Sequence, residues 1–297
     1  MISTILAGIF LILMGLCHFG SLIKFIPYTI TTGFTSGIAV TIVIGQLKDF
    51  FGVTYPNGLK PIETMEKLNA FALGFSSFHV DALIVGGVSL AILIISPYIF
   101  KRIPGSLIAV VIGILMVKFL PLHVSTIGNL YTITNDLPSF HIPAVKFSMV
   151  KSSIPNAFTI AVLAAIESLL SCVVADGMIN GKHRSDTELV AQGLGNIASA
   201  LFGGIPATGA IARTAANIKN GGRTPVAGMV HSITLVIVLV VLMPFAGMIP
   251  MPTIAAILFV VAYNMCQWRT FVHLIRTAPK SDIIVLLTTC LLYTSPS

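Results

Sequence analysis

Long apolar runs recur along the whole sequence and are separated by short polar connections. A helix needs about 20 mostly apolar residues to cross a hydrocarbon core about 30 Å thick, and each of these runs has about that length. The runs are continuous and lack the alternation of apolar and polar positions that is typical of barrel strands. The pattern predicts an all-α polytopic membrane protein whose main spans lie near residues 2–22, 27–47, 79–100, 105–120, 156–176, 224–245 and 252–267.

The connections predict how the chain is divided. Residues 48–78 read as a polar connection, and residues 121–155, rich in Pro, Asn, Ser and Thr, read as a long loop that separates two halves. The last apolar run starts at Asp282 and holds only about a dozen residues, which is too short for a span. We therefore expect a truncated chain, and we interpret residues 290–297 as an artefactual tail.

Composition supports a membrane protein and argues against several other classes. Of the 297 residues, 56% are hydrophobic and 9% are charged, which is far from the composition of soluble domains. The formal charge is +7, but the basic residues are scattered between apolar runs, which fits loop topology and predicts no nucleic-acid partner. The four cysteines fall in separate apolar segments, so we expect neither a metal site nor a disulfide framework.

One apolar stretch is interrupted by an arginine, in the sequence GGIPATGAIARTAAN at residues 203–217. Its glycines and Pro206 break a continuous helix, whereas residues 210–218 read as a new helix start. Broken backbone at membrane depth is tolerated only where protein buries it or where it lines a cavity. The first turn of such a half-helix offers unpaired N–H groups and the positive end of a helix dipole, to which Arg213 adds a permanent charge. The stretch predicts an anion site.

Glu167 is the expected counter-charge of Arg213. An arginine at mid-membrane costs at least about 2.5 to 3.5 kcal/mol, so it rarely persists without a partner or a task. A carboxyl group in a low-dielectric setting can also carry a proton or hold a cation, and Ser171 lies one helical turn after Glu167. The alternatives are that Arg213 snorkels to the interface and that Glu167 forms a purely structural ion pair. Gln192 and Asn196 repeat the same spacing and either line the cavity or bond helix to helix.

Sequence signatures of enzymes do not occur. The chain has no G-x-S-x-G, no H-E-x-x-H and no P-loop, and its histidines do not form metal-ligand pairs. We expect a protein that is not an enzyme and that needs no cofactor.

Several long blocks resemble the sulfate permease (SulP) family of anion transporters. They are FIPYTITTGFTSGIAVTIVIGQLKDFFG at 25–52, STIGN at 125–129, LPSFHIP at 137–143 and, above all, the block from AIESLL to GMVHS at 165–232. The last block is most similar to the bacterial C4-dicarboxylate transporters of the family.

The resemblance implies a fragment of a fold with two inverted seven-helix repeats, a core domain that carries substrate past a gate domain, and a STAS domain after the last helix. The chain would run from the fourth helix to the thirteenth. Residues 1–23 and 156–247 would belong to the core, residues 24–155 and 248–289 to the gate, and residues 290–297 to the tail. The resemblance also implies a homodimer in a bacterial inner membrane.

The resemblance places the substrate between two half-helix N-termini, one of which matches Gly209, Ala210, Ile211, Ala212 and Arg213. Ala210 and Ala212 stand where many eukaryotic members have serines, so backbone N–H groups have to bind more of the anion. Glu167 and Ser171 match an acid and a hydroxyl that help to bind sodium in a related bicarbonate transporter.

We therefore expect a secondary transporter that takes up C4-dicarboxylates with H⁺ by an elevator-type movement. The alternatives are Na⁺-coupled transport of bicarbonate or sulfate and, in a different class, a non-transporting sensor or scaffold that only binds anions.

Overall fold

The structure is a computed structural model that describes residues 1–21, 28–56, 59, 61–100, 103–132, 137–143, 146–266 and 268–294. The described residues are mostly helical, and the only β-type pairing among them is an isolated bridge between Thr126 and Pro250. The helices are α1 (Ile2–Leu16), α2 (Tyr28–Phe51), α3 (Thr64–Gly74), α4 (Val80–Ile99), α5 (Gly105–Phe119), α6 (Ile127–Leu130), α7 (Phe147–Ile179), α8 (Ser185–Leu201), α9 (Ile211–Lys219), α10 (Val226–Ile237), α11 (Met243–Ala246), α12 (Met251–Cys266), α13 (Trp268–Thr277) and α14 (Lys280–Thr294).

Four helical stretches of the described chain are long and apolar enough to cross a membrane. They are Thr32–Phe51, Val80–Ile99, Phe147–Ile179 and Met251–Thr277. Shorter apolar helices occur at Ile2–Leu16, Gly105–Phe119 and Val226–Leu242. The predicted all-α polytopic fold is confirmed.

The polar connections contain more helix than the sequence pattern predicts. α7 begins at Phe147, nine residues before the predicted start of that span, and it contains Pro155. The exposed Lys151 and Ser152 read as loop residues, but a helix that extends beyond the apolar region keeps such side chains in polar surroundings. α2 likewise continues through Lys48 to Phe51, where we predicted a connection.

Three short helices lie in predicted connections and were not predicted: α3, α6 and α13. α3 lies within the predicted connection 48–78, and it starts with a capping box in which Glu63 and Glu66 bond each other's backbone N–H groups. α13 is amphipathic, with Arg269 and Arg276 on its polar side. Because of these charges, the sequence pattern predicted a polar connection here rather than a helix. Short amphipathic helices give no continuous apolar run, so a search for spans does not find them.

Contacts divide the chain into two compact units. The first contains Met1–Ile26 and Asp136–Val240, and the second contains Pro27–Asn135 and Val241–Ser297. The predicted boundary at residues 23 and 24 lies outside the described residues, as do residues 295–297 of the predicted tail. The core and gate roles assigned from the sequence stay predictions.

The first unit is built on close contact between α1 and α8. A Cβ placed on Gly8 would lie 2.6 Å from the carbonyl oxygen of Gly193, and one on Gly15 would lie 2.6 Å from that of Asp186. From Gly8 to Gly15 on α1, the contacted residue on α8 changes from Gly193 to Asp186, so the two helices are antiparallel. Small residues bring backbones together in lipid, where packing drives helix association.

Alanines continue this close packing between α1, α7 and α8. The buried residues of this cluster are Ala7, Leu11, Ala157, Ala161, Ala164, Ala165, Leu169 and Leu189. At one end of the α1–α8 contact, the Asp186 carboxylate accepts hydrogen bonds from His18 Nδ1 at 2.8 Å and from the N–H of Gly20 at 3.0 Å. The hydrogen bond from His18 holds the pKa of Asp186 below its usual value.

The second unit packs α2 against α4, α12 and α14, and α4 against α5 and α12. Its buried cluster contains Phe50, Leu93, Ala109, Ala255 and Ala256. A buried hydrogen bond of 2.9 Å joins the hydroxyls of Ser89 on α4 and Thr253 on α12. This bond pairs two hydroxyls that would otherwise be buried without partners.

We predict that Gly193→Ala destabilises the protein by about 1 to 3 kcal/mol, because the added methyl group has to push α1 away from α8. A Cβ at position 193 would lie 2.5 Å from the carbonyl oxygen of Gly8. Gly195→Ala is the matched control on the same helix, since nothing lies within 4 Å of its Cβ position. Thermal unfolding of the purified variants in detergent measures both, and equal melting temperatures for the two variants would contradict the contact.

Candidate anion site at the start of α9

An extended segment connects α8 to α9. α8 ends at Leu201, residues 204–210 have no regular secondary structure, and α9 contains only nine residues, Ile211–Lys219. A helix of that length is about 14 Å long, less than half of a hydrocarbon core about 30 Å thick. Gly203 has a φ of +76°, a conformation that favours glycine, and it turns the chain out of α8. The helix break and half-helix that the sequence predicts are both present.

Polar side chains of α8 bond the backbone of this segment. Asn196, 2% exposed, accepts from the N–H of Ala207 and donates to its carbonyl oxygen, both at 2.9 Å. Gln192 Nε2 donates to the same carbonyl at 2.6 Å, and Ser199 Oγ donates to the carbonyl of Ile205 at 3.0 Å. Gln192 and Asn196 therefore bond a helix to an extended segment rather than to another helix. They supply partners that backbone outside a regular helix would otherwise lack.

α7 holds the other side of the segment. Thr208 Oγ1 donates to the carbonyl oxygen of Ala164 at 3.1 Å, and Ser171 Oγ donates to Thr214 Oγ1 at 2.9 Å. A Cβ on Gly209 would lie 3.3 Å from the Cα of Ser168, which is tighter than an ordinary van der Waals contact. Glycine thus lets the chain approach α7 closely just before α9 begins.

The structure places Glu167 and Ser171 on α7 and Arg213 in the first turn of α9. Ser171 is 5% exposed, and its hydroxyl donates a hydrogen bond to Thr214. Arg213 is exposed. Within the described part of the chain, Glu167 and Arg213 form no ion pair at 4.0 Å or less, so the structural ion pair considered from the sequence is not formed.

Backbone N–H groups without acceptors lie at the start of α9. No acceptor for the N–H groups of residues 209–213 is found in the described residues, and for residues 211–213 the reason is that the first turn of a helix has no preceding carbonyl to use. These groups and the helix dipole favour a bound anion. Ala210 offers no hydroxyl, and the Ala212 side chain lies outside the described side chains, so binding here depends on backbone and on Arg213.

Four residues that the sequence did not single out complete the arrangement. They are Ser168, Glu188, Thr208 and Thr214. Ser168 Oγ donates to Glu188 Oε1 at 2.7 Å. For Glu188, the sequence signal is a row of polar residues at intervals of four on α8, which consists of Glu188, Gln192 and Asn196.

We predict that Asn196→Leu destabilises the protein by about 2 kcal/mol or more, because the N–H of Ala207 then loses its acceptor. Gln192→Leu is the matched control one turn away, and its cost is smaller since the same carbonyl keeps the bond from Asn196. Denaturation of both variants in detergent checks the order. A Gln192 variant at least as destabilised as the Asn196 variant would contradict it.

Comparison with known proteins identifies the family. The model of the sulfate permease family matches residues 1–289, which is nearly the whole chain. The chain belongs to the sulfate permease family. Among the members of this family, YvdB of Bacillus subtilis (strain 168), a proposed sulfate transporter, is 40% identical over 291 residues, which cover 96% of this chain and 54% of YvdB.

A second relative is the bicarbonate transporter BicA of Picosynechococcus, 34% identical over 282 residues, which cover 94% of this chain and 49% of BicA. The chain thus spans about half the length of the curated relatives it matches. These relatives are named for sulfate and bicarbonate, so the narrower likeness to C4-dicarboxylate transporters stays a prediction.

Solved structures share the fold. The transmembrane domain of a cyanobacterial BicA aligns with a TM-score of 0.84 and 29% identity, covering 98% of this chain and 73% of that chain. Murine Slc26a9, an anion transporter in the inward-facing state, aligns with a TM-score of 0.84 and 21% identity, covering 99% of this chain and 48% of that chain. At 21% identity, the second likeness supports the fold alone.

Proposed function

We propose that this protein is a secondary active transporter of a small oxyanion, and that the anion binds at the N-terminus of α9. The observation that carries the proposal is the group of N–H donors at residues 209–213, which lack acceptors in the described chain and lie beside Arg213. A bound anion supplies acceptors for these N–H groups, and the guanidinium group of Arg213 adds charge-assisted hydrogen bonds.

The relatives favour sulfate or bicarbonate over a C4-dicarboxylate as the substrate. YvdB and BicA carry those two anions in their names, and both align with nearly the whole chain. A C4-dicarboxylate is the competing substrate, since its carboxylate groups could use the same N–H donors. The shared chemistry is a delocalised oxyanion with one or two negative charges.

An elevator-type movement fits the way in which the site is held. Every hydrogen bond described above for the segment before α9 joins it to α7 or α8, and both helices belong to the first unit. The anion site can therefore move with that unit while its own geometry stays fixed. We propose that the first unit is the moving core.

Glu167 is the proposed coupling residue. Within the described residues it has no cationic partner, so its charge is free to be neutralised by H⁺ or Na⁺. A neutralised carboxyl group near a bound anion favours that anion, which links the ion gradient to uptake. The proposed setting is a bacterial plasma membrane, and the proposed assembly is a homodimer.

We predict that Arg213→Ala raises the half-saturating anion concentration by about tenfold or more, because a charge-assisted hydrogen bond contributes about 1.5 to 3 kcal/mol. The assay is uptake of radiolabelled sulfate, bicarbonate and succinate, each offered separately, into proteoliposomes that contain the complete gene product.

Lys219→Ala is the matched control, since Lys219 lies in the last turn of the same helix, away from its N-terminus. Unchanged uptake by the Arg213 variant would contradict the site. Anion binding without uptake in any of the three assays would favour the sensor or scaffold.

We predict that Glu167→Gln makes uptake independent of the coupling gradient, because the amide cannot take up or release a proton and has no negative charge to hold a cation. Uptake is compared with an inward H⁺ gradient, with an inward Na⁺ gradient and with neither. The wild-type protein shows which gradient drives transport. A Glu167 variant that responds to that gradient as strongly as the wild type would rule out the coupling role.

A further inference from the structure

Glu188 is a carboxylate that the proposed anion and coupling sites leave without a role. It lies one helical turn before Gln192 on α8, and it is only partly exposed. Its Oε1 accepts a hydrogen bond of 2.7 Å from the hydroxyl of Ser168 on α7. No Lys, Arg or His side chain of the described chain lies within ion-pair distance of it. The contact with Ser168 is therefore the feature that needs an explanation.

Ser168 lies directly against the chain that enters α9. It is 1% exposed, and a Cβ placed on Gly209 would be 3.3 Å from its Cα and 3.4 Å from its Oγ. The chain at Gly209 therefore packs against Ser168 with room for little more than one extra atom, so a change in the direction of the Ser168 hydroxyl alters this packing. The orientation of one buried hydroxyl therefore affects the backbone that presents the proposed anion site.

A serine inside a helix has a second acceptor within reach, which is the carbonyl four residues earlier. For Ser168 that carbonyl belongs to Ala164. It accepts the backbone N–H of Ser168 in the helix and also the hydroxyl of Thr208 at 3.1 Å. A carbonyl oxygen has two lone pairs, so both are already used. A Ser168 hydroxyl that turned back toward Ala164 would compete with Thr208.

We propose that Glu188 is a positioning residue: by accepting the Ser168 hydroxyl, it leaves the Ala164 carbonyl to Thr208 and so fixes Gly209 and the N–H groups that follow. The effect on anion binding rests on the proposed function, whereas the effect on the segment does not. Glu188 acts through Ser168 and does not touch the anion. Its charge matters less than its ability to accept a hydrogen bond.

This role makes a specific prediction about paired substitutions. Glu188→Ala frees the Ser168 hydroxyl to compete, so it loosens the segment before α9. Ser168→Ala removes the competing hydroxyl, so the double variant Glu188→Ala/Ser168→Ala is close to the wild type. Glu188→Gln retains an acceptor oxygen and is also close to the wild type. A residue that only packs would give additive losses instead.

Hydrogen exchange of the purified complete protein, in detergent and without substrate, tests the structural part. Within residues 204–214, the amides of Ala207 and Thr214 are hydrogen-bonded and lie on either side of Gly209. For these two amides, we expect exchange to be about fivefold faster in Glu188→Ala, the change that the loss of about one hydrogen bond would give. The double variant and Glu188→Gln restore slow exchange. Thr187→Ala is the matched control, because its side chain is exposed on the neighbouring position of α8. Wild-type exchange in Glu188→Ala, or no rescue in the double variant, overturns the proposal.

Sulfate and bicarbonate uptake into proteoliposomes tests the functional part. Glu188→Ala raises the half-saturating concentration of the transported anion by about fivefold, and its maximal rate changes by less than about twofold. The double variant and Glu188→Gln restore the wild-type value. If the wild type transports none of sulfate, bicarbonate and succinate, the proposed function fails, and hydrogen exchange still decides the role of Glu188. If the wild type transports and Glu188→Ala has the same half-saturating concentration, the functional part fails.

Discussion

Backbone hydrogen bonding is the constraint on which the arrangement of the first unit depends. A helix satisfies its own N–H and C=O groups, but the extended residues 204–210 cannot, and backbone at membrane depth needs protein partners for such groups. α8 supplies the missing partners through Gln192, Asn196 and Ser199, which explains why this helix is so polar. The polar composition of α8 is thus a consequence of the extended segment that follows it.

The same constraint explains why the first unit is packed with small residues. Side chains of α7 and α8 reach the extended segment only if their backbones are close to it and to each other. Alanines and glycines allow that approach, as at Gly209 against Ser168 and at Gly8 against Gly193. Packing and polar satisfaction therefore support one another in the first unit. The N–H groups at residues 209–213 have no acceptor in the described chain, and these are the donors that the proposed anion would use.

The sequence predicted the features that follow from local chemistry. The helix break at residues 203–209 was predictable because glycine is a poor helix former and proline cannot continue a helix. The membrane spans were predictable because they are long and apolar. The start of α7 at Phe147 was not, because Lys151, Ser152 and Pro155 carry local signals for a loop that the rest of the helix overrides. α3 and α13 were missed because short amphipathic helices resemble loops in composition.

The partners of the site residues were the least predictable part. Spacing correctly placed Glu167 and Ser171 one turn apart, but it could not show that Ser171 bonds Thr214, or that Glu167 and Arg213 form no ion pair. Those outcomes depend on how α7 lies against α9, which is a tertiary property. The polar row on α8 was visible in the sequence, but the roles of Gln192 and Asn196 were not, because both side chains bond the backbone of Ala207. Side chains that bond backbone leave no complementary side chain in the sequence, so a search for paired residues cannot find the groups that hold this site in place.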